Sequence, residues 1–202
     1  KIAVGSRAKG RINIDAPVTE NLKNVAEAMN RNVNELTVII LDRERHIPII
    51  NEIRETGARI KLINDGDVSP ALSIAVEGTS VHMLLGVGGA PEGVLAAAAL
   101  KCLGGDMQAR LVPESPEDII RAKKMGIDDI NKVLYMDDLV KGNEIFFAAT
   151  AITSCGLLDE VRYFPGGART NSIVIRGTSA TIRFIDAIHR FENKPLYSIK
   201  FK

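Results

Sequence analysis

The chain predicts an α/β fold: a mostly parallel sheet with helices on both faces, plus a strand-rich C-terminal element of a second sheet. Three observations carry this expectation. Short aliphatic and β-branched runs alternate with segments whose apolar residues recur at helical spacing, from about residue 19 to about residue 125. Those runs are continuously apolar, which suits strands covered on both faces. After about Glu144 the alternation stops, and strand-like segments follow one another across a turn-rich Pro165-Gly166-Gly167.

Lys1 to Gly5 reads as the middle of a strand, with no initiator Met, so the chain is expected to be a segment of a longer protein. Leu22, Val25, Ala26 and Met29 share one helical face, predicting a helix over about 19–30 with Thr19 as its N-cap. Thr37 to Leu41 is a strand, ending at the charged cluster Asp42-Arg43-Glu44-Arg45-His46. A helix over 48–56 stops at Gly57, a C-cap residue. The unit recurs as a strand at Arg59–Asn64, the turn Asp65-Gly66-Asp67 and a short helix from about Ser69. A third strand, Val81 to Val87, exits through Gly88-Gly89-Ala90-Pro91-Glu92 into an Ala-rich helix over 93–103. A fourth, Met107 to Val112, precedes Ser115-Pro116-Glu117-Asp118, where an N-cap, a first-turn proline and two acids announce a helix to about Met125. In the tail, Ile145–Thr153 and Ser172–Arg176 read as strands, while Thr181–Phe191 fits strand or amphipathic helix.

Composition narrows the function classes. With 202 residues, 46% hydrophobic and 25% charged, the chain can bury a substantial core. No run reaches the roughly 18 apolar residues that cross a bilayer, and the first residues lack the apolar centre of a signal peptide, so a cytoplasmic protein is expected. A net charge of +1 without a basic block predicts no nucleic-acid partner and no membrane partner. Cys102 and Cys155 read as thiols in a reducing compartment.

In open parallel sheets ligands bind at the carboxyl ends of strands. Three successive exits carry chemistry: Arg43 and Arg45 at the first, Asp65 and Asp67 at the second, Gly88, Gly89 and Glu92 at the third. Two guanidinium groups can clamp a phosphate, and two carboxylates flanking a glycine suit sugar hydroxyls or a divalent cation. Together they point to a phosphorylated polyol. Each also has a plain structural account: a solvated strand end for the arginines, a simple turn for Asp-Gly-Asp. His46, His82 and His189 lack metal-ligand spacing and read as ordinary packed or surface histidines, His46 lying nearest the exits. Arg169, Thr170 and Ser172 could meet an anion, although a hairpin turn accounts for them better. A dinucleotide fingerprint fails, because Pro91 occupies the third glycine position and Asp106 opens a strand rather than ending one.

Asp65-Gly66-Asp67-Val68, the loop Gly86-Val87-Gly88-Gly89-Ala90-Pro91-Glu92-Gly93 with its Ala-rich helix and Gly104-Gly105-Asp106, and Arg169-Thr170-Asn171-Ser172 to Arg176 resemble the class II fructose-1,6-bisphosphatase family over essentially the whole chain. The resemblance implies a layered sugar-phosphatase-type sandwich. It also implies metal-dependent hydrolysis of the 1-phosphate of fructose 1,6-bisphosphate in gluconeogenesis, with Mn²⁺ or Mg²⁺ as cofactor and water attacking phosphorus in line. Some relatives also accept sedoheptulose 1,7-bisphosphate. By the same resemblance Glu92 matches a metal ligand and Gly89 a substrate contact. Asp65, Gly66 and Asp67 match the segment that holds sugar hydroxyls. Arg43, Glu44 and Arg45 match the basic stretch that contacts substrate, with Arg43 where lysine is more usual. The family's Thr-Gly-Ile-Thr signature reads Thr150-Ala151-Ile152-Thr153, so Ala151 stands where the family has glycine.

The family's catalytic residues and remaining acidic ligands would lie upstream of Lys1, so no catalytic residue is assigned here and the segment alone is expected to be inactive. The expected division is a lead-in at 1–35, an α/β substrate-binding domain at 36–143 and a strand-rich element at 144–202 packing toward the catalytic half. Expected partners are a sugar bisphosphate and further copies of the chain in a homo-oligomer. The alternatives are a non-catalytic sugar-phosphate-binding module and a phosphatase preferring sedoheptulose 1,7-bisphosphate.

Overall fold

The computed structural model describes residues 1–66, 68–76 and 78–194. Packing divides the chain into Lys1–Asn143 and Glu144–Lys202. The first unit runs β1 (Ile2–Val4), α1 (Val18–Ala28), β2 (Thr37–Leu41), α2 (Ile47–Glu55), β3 (Arg59–Ile63), α3 (Val68–Ala75), β4 (Met83–Leu85), α4 (Ala90–Cys102), β5 (Asp106–Gln108), α5 (Pro116–Lys124) and α6 (Met136–Leu139). Its five strands form one sheet in the order β3-β2-β4-β1-β5.

The sheet is mixed. β2 pairs in parallel with both β3 and β4, whereas β1 is antiparallel to β4 and to β5. Helical crossovers commit β2, β3, β4 and β5 to one direction. Inserted between the last two, β1 runs against them, a feature to which an alternation of strand and helix patterns is blind.

Period-two side-chain alternation sorts the apolar residues onto two faces. Ile2 and Val4 of β1, Val38 and Ile40 of β2, and Met83 and Leu85 of β4 meet Leu22 and Val25 of α1 and Ile50 and Ile53 of α2. The intervening Ala3, Ile39 and Leu84 meet Ala71 and Ile74 of α3 and Ala96, Ala97 and Leu100 of α4. Two helices therefore cover each face. The run Thr37–Leu41 is continuously apolar because both of its faces are dry.

Helix ends follow local chemistry, with one correction. Ser115 Oγ accepts the Asp118 N–H at 3.3 Å and caps α5, and Gly57 ends α2 at a φ of +78°. Thr19 lies inside α1 rather than capping it; its N–H donates to the Glu52 carboxylate of α2 at 3.1 Å. The helix after the third strand begins at Ala90, ahead of the apolar spacing that marks Gly93, because Pro91 is tolerated in a first turn. No helix among the described residues is long and apolar enough to cross a membrane.

The second unit holds β6 (Phe146–Thr150), β7 (Arg162–Phe164), β8 (Gly167–Arg176) and β9 (Thr181–Arg190), all antiparallel. β8 pairs with β9 along its whole length and with β6 and β7 at successive stretches of its other edge. The ambiguous segment from Thr181 is thus a strand, fixed by ladder pairing that its own pattern does not encode. Pro165 and Gly166, the latter at φ +78°, turn β7 into β8. Ala151 is outside the positive-φ residues of the chain and its N–H donates to Asn171 O at 3.1 Å, so alanine sits there without backbone strain.

Candidate functional site

Because β3, β2 and β4 are parallel neighbours, their carboxyl ends reach the same edge of the sheet. The chain leaves β2 for α2 on one face and β4 for α4 on the other. Adjacent strands whose following helices diverge open a crevice between them, the usual ligand position in such sheets. The three loaded exits flank it in the spatial order Asn64–Gly66, Asp42–His46 and Gly86–Gly89.

The middle exit is stitched to both neighbours. Arg43 donates through Nη2 to Asn64 O at 2.6 Å and through Nη1 to Asp42 O at 2.9 Å. Arg45 donates through Nη2 to Val87 O at 2.9 Å. Both side chains are exposed. A guanidinium carries five N–H donors, so each arginine keeps donors for an anion while its backbone bonds restrict where they point.

His46 lies beneath them with no exposed surface. Its Nε2 accepts the Val87 N–H at 2.9 Å, which leaves Nδ1 protonated to donate to Leu41 O at 2.8 Å. The neutral ring therefore ties the last residue of β2 to the loop after β4. Gly86 makes room for it: at φ +134°, a Cβ on this residue would lie 3.2 Å from His46 Cε1 and Nε2.

Glu92 sits half-buried in the first turn of α4 and folds back over Gly89; a Cβ added to Gly89 would stand 3.2 Å from Glu92 Oε2. Glu44 opens a short 3₁₀ turn, Glu44–His46, and is exposed. The exposed Asp65 accepts the Gly66 N–H through Oδ1 at 2.9 Å, and Gly66 adopts φ +79°. Asp67 lies outside the described residues. Among the described residues no three His, Cys, Asp or Glu side chains group as cation ligands. A divalent cation takes about six oxygen ligands, so Glu92 by itself does not constitute a metal centre.

The structure thus gathers Arg43, Arg45, Gly66 and Gly89, on the exit loops, and Glu92, in the first turn of α4, at one sheet edge, and adds His46, Asn64 and Val87 to the set. The last two act through backbone groups, which residue identity does not report. Arg169 lies in the second unit, where its guanidinium is paired with the Asp186 carboxylate across β8 and β9, a hydrogen bond that holds Asp186 below the usual carboxylate range.

A family model of phosphatases matches this chain over residues 1–189: bacterial fructose-1,6-bisphosphatase, glpX-encoded. The chain belongs to that family. A Synechococcus protein named D-fructose 1,6-bisphosphatase class 2/sedoheptulose 1,7-bisphosphatase is 47% identical over 201 residues, covering 94% of this chain and 58% of its own length. Proteins of the same name from Crocosphaera subtropica and Trichodesmium erythraeum are 46% and 47% identical over 209 residues, covering 98% and 97% of this chain and 60% and 61% of theirs. The chain spans about three-fifths of the length of the curated relatives it matches.

Proposed function

We propose that this chain supplies the sugar-phosphate grip of a phosphatase that hydrolyses the 1-phosphate of fructose 1,6-bisphosphate, with sedoheptulose 1,7-bisphosphate as a second substrate. Family membership and the relatives' names support the reaction class. The observation that carries the reading is the stitched exit, in which Arg43 and Arg45 are each braced on a carbonyl just past a neighbouring strand, beside the start of the helix that bears Glu92.

In this reading Arg43 and Arg45 hold the phosphate that is not cleaved, and Asp65 and Asp67 accept hydrogen bonds from sugar hydroxyls. Gly89 allows close approach of substrate to the backbone. Fixing the far end of the substrate converts remote binding energy into alignment at the reacting phosphate. Glu92 contributes one oxygen ligand to a divalent cation, Mn²⁺ or Mg²⁺, whose remaining ligands come from outside the described residues. Such a cation supplies charge stabilisation at phosphorus when bound. A cytoplasmic, gluconeogenic, homo-oligomeric enzyme is the physiological form proposed.

Phosphate release from fructose 1,6-bisphosphate by the full-length protein with manganese tests the reading. Glu92→Ala should lower kcat about 100-fold or more while fructose 6-phosphate binds within about threefold of wild type. Unchanged turnover rejects the ligand role of Glu92, and binding without any phosphate release by the wild type identifies a sugar-phosphate-binding module instead.

A further inference from the structure

At the opposite end of the same strands lies a cleft of about 380 Å³ that the reading above does not use. It opens where β1 ends, α1 and α3 finish and β4 is about to begin; Arg7, Arg31, Thr79 and His82 supply its polar lining, Ile74 and Val81 its apolar wall. The volume lies within the range of small-ligand pockets.

Three features make this cleft more than a surface hollow. Arg7 and Arg31 are both exposed, and neither guanidinium has a hydrogen bond or ion pair with another of the described residues, although the charge of Arg31 helps to lower the Glu35 carboxyl from its ordinary value. His82 is only 7% exposed, and its Nδ1 accepts the Thr37 N–H at 2.9 Å. That bond leaves the ring proton on Nε2, a donor with no partner among the described residues. Buried donors are seldom left unmatched, and the missing acceptor is what a ligand in the cleft would bring.

We infer that this cleft is a second anion site, taking a small phosphate monoester whose phosphate meets Arg7, Arg31 and the His82 Nε2–H and whose organic part rests on Ile74 and Val81. Paired guanidiniums suit the fork geometry of phosphate oxygens. The site is distinct from the strand exits. Thr37 begins β2 beside His82 and Leu41 ends it beside His46, so roughly 13 Å of strand separates the two.

Calorimetric titration of the full-length protein with glycerol 3-phosphate, and separately with inorganic phosphate, tests the site in the presence of saturating fructose 6-phosphate. The expected result is saturable binding of glycerol 3-phosphate, tighter than inorganic phosphate. Arg7→Ala and Arg31→Ala should each weaken it about tenfold, Arg31→Lys less, and Arg45→Ala should leave it unchanged. Hydrogen exchange should slow in the segment 74–82 on binding. Thermal melts of the arginine variants within a few degrees of wild type verify that they fold. Three results overturn the inference: no saturable binding under these conditions, binding abolished by Arg45→Ala but retained by Arg7→Ala and Arg31→Ala, or binding of inorganic phosphate with none of the ester.

Discussion

The imidazole of His46, fully enclosed, accepts the backbone N–H of Val87 at 2.9 Å while donating to Leu41 O at 2.8 Å. One side chain thereby fixes the separation of two strand exits, and the neighbouring Arg45 repeats the link by donating to Val87 O at 2.9 Å. Val87 is held through both of its backbone polar groups. The glycine loop that follows starts from a position set by the middle strand.

Removing that ring should cost stability and grip together. His46→Ala leaves the Val87 N–H and Leu41 O unmatched and opens a void, so unfolding in urea should show a loss of about 2–4 kcal/mol. Gly86→Ala should be comparably harmful in the wild type, because its Cβ crowds the same ring at 3.2 Å. It should cost less in the His46→Ala background, where the strained φ remains and the collision does not. A double-mutant cycle measures this coupling, and strictly additive losses would show that the two residues do not meet.

Gly89→Ala separates stability from function. The added Cβ would press on the free end of Glu92 rather than on backbone, at 3.2 Å from Oε2. Gly89 has a φ of −59°, which alanine adopts freely. Stability should therefore change by less than about 1 kcal/mol, while under the proposed function phosphate release from fructose 1,6-bisphosphate by the full-length protein should fall at least tenfold as the carboxylate is pushed aside. Turnover equal to wild type would mean that the Glu92 position is immaterial.

Stability should also depend on pH through His82. Burial is the main cause that holds this histidine below its ordinary value of 6.5, with the positive charges of Arg31 and Arg59 adding to it. As pH falls, the unfolded chain takes up this proton before the folded one does. The stabilisation is therefore complete above about pH 6.5 and is lost as pH falls toward the depressed folded value. Protonation also removes the acceptor that Thr37 N–H uses. Urea midpoints measured between pH 8 and pH 5 should decline more steeply for wild type than for His82→Gln; parallel declines would assign the acid sensitivity to other groups.

Much of this arrangement was legible in residue order. The run Thr37–Leu41 declares a doubly covered strand, and each loaded loop follows a strand directly, so a shared edge is readable once the strands are parallel. Ser115 and Gly57 act at their helix ends as their chemistry dictates. Strand order was not legible: that β2 lies between β3 and β4, making the Arg43–Arg45 exit central, depends on crossovers whose destinations are tertiary. The inverted direction of β1 is equally silent, since antiparallel and parallel buried strands share the same period. His46 resembles any packed histidine until its two backbone partners are known. Asn64 and Val87 contribute carbonyls that every residue possesses, and Thr181 to Arg190 becomes a strand only by pairing with β8.

Calorimetric titration of the full-length protein with fructose 6-phosphate, wild type against Arg45→Ala and Arg43→Ala, tests the central relationship most directly. Each substitution should weaken binding about tenfold or more, as expected for losing a charge-assisted contact to phosphate, with Arg43→Ala sparing the link to Val87 and Arg45→Ala the link to Asn64. Affinity unchanged in both variants would contradict a sugar-phosphate site at the exits of β2, β3 and β4.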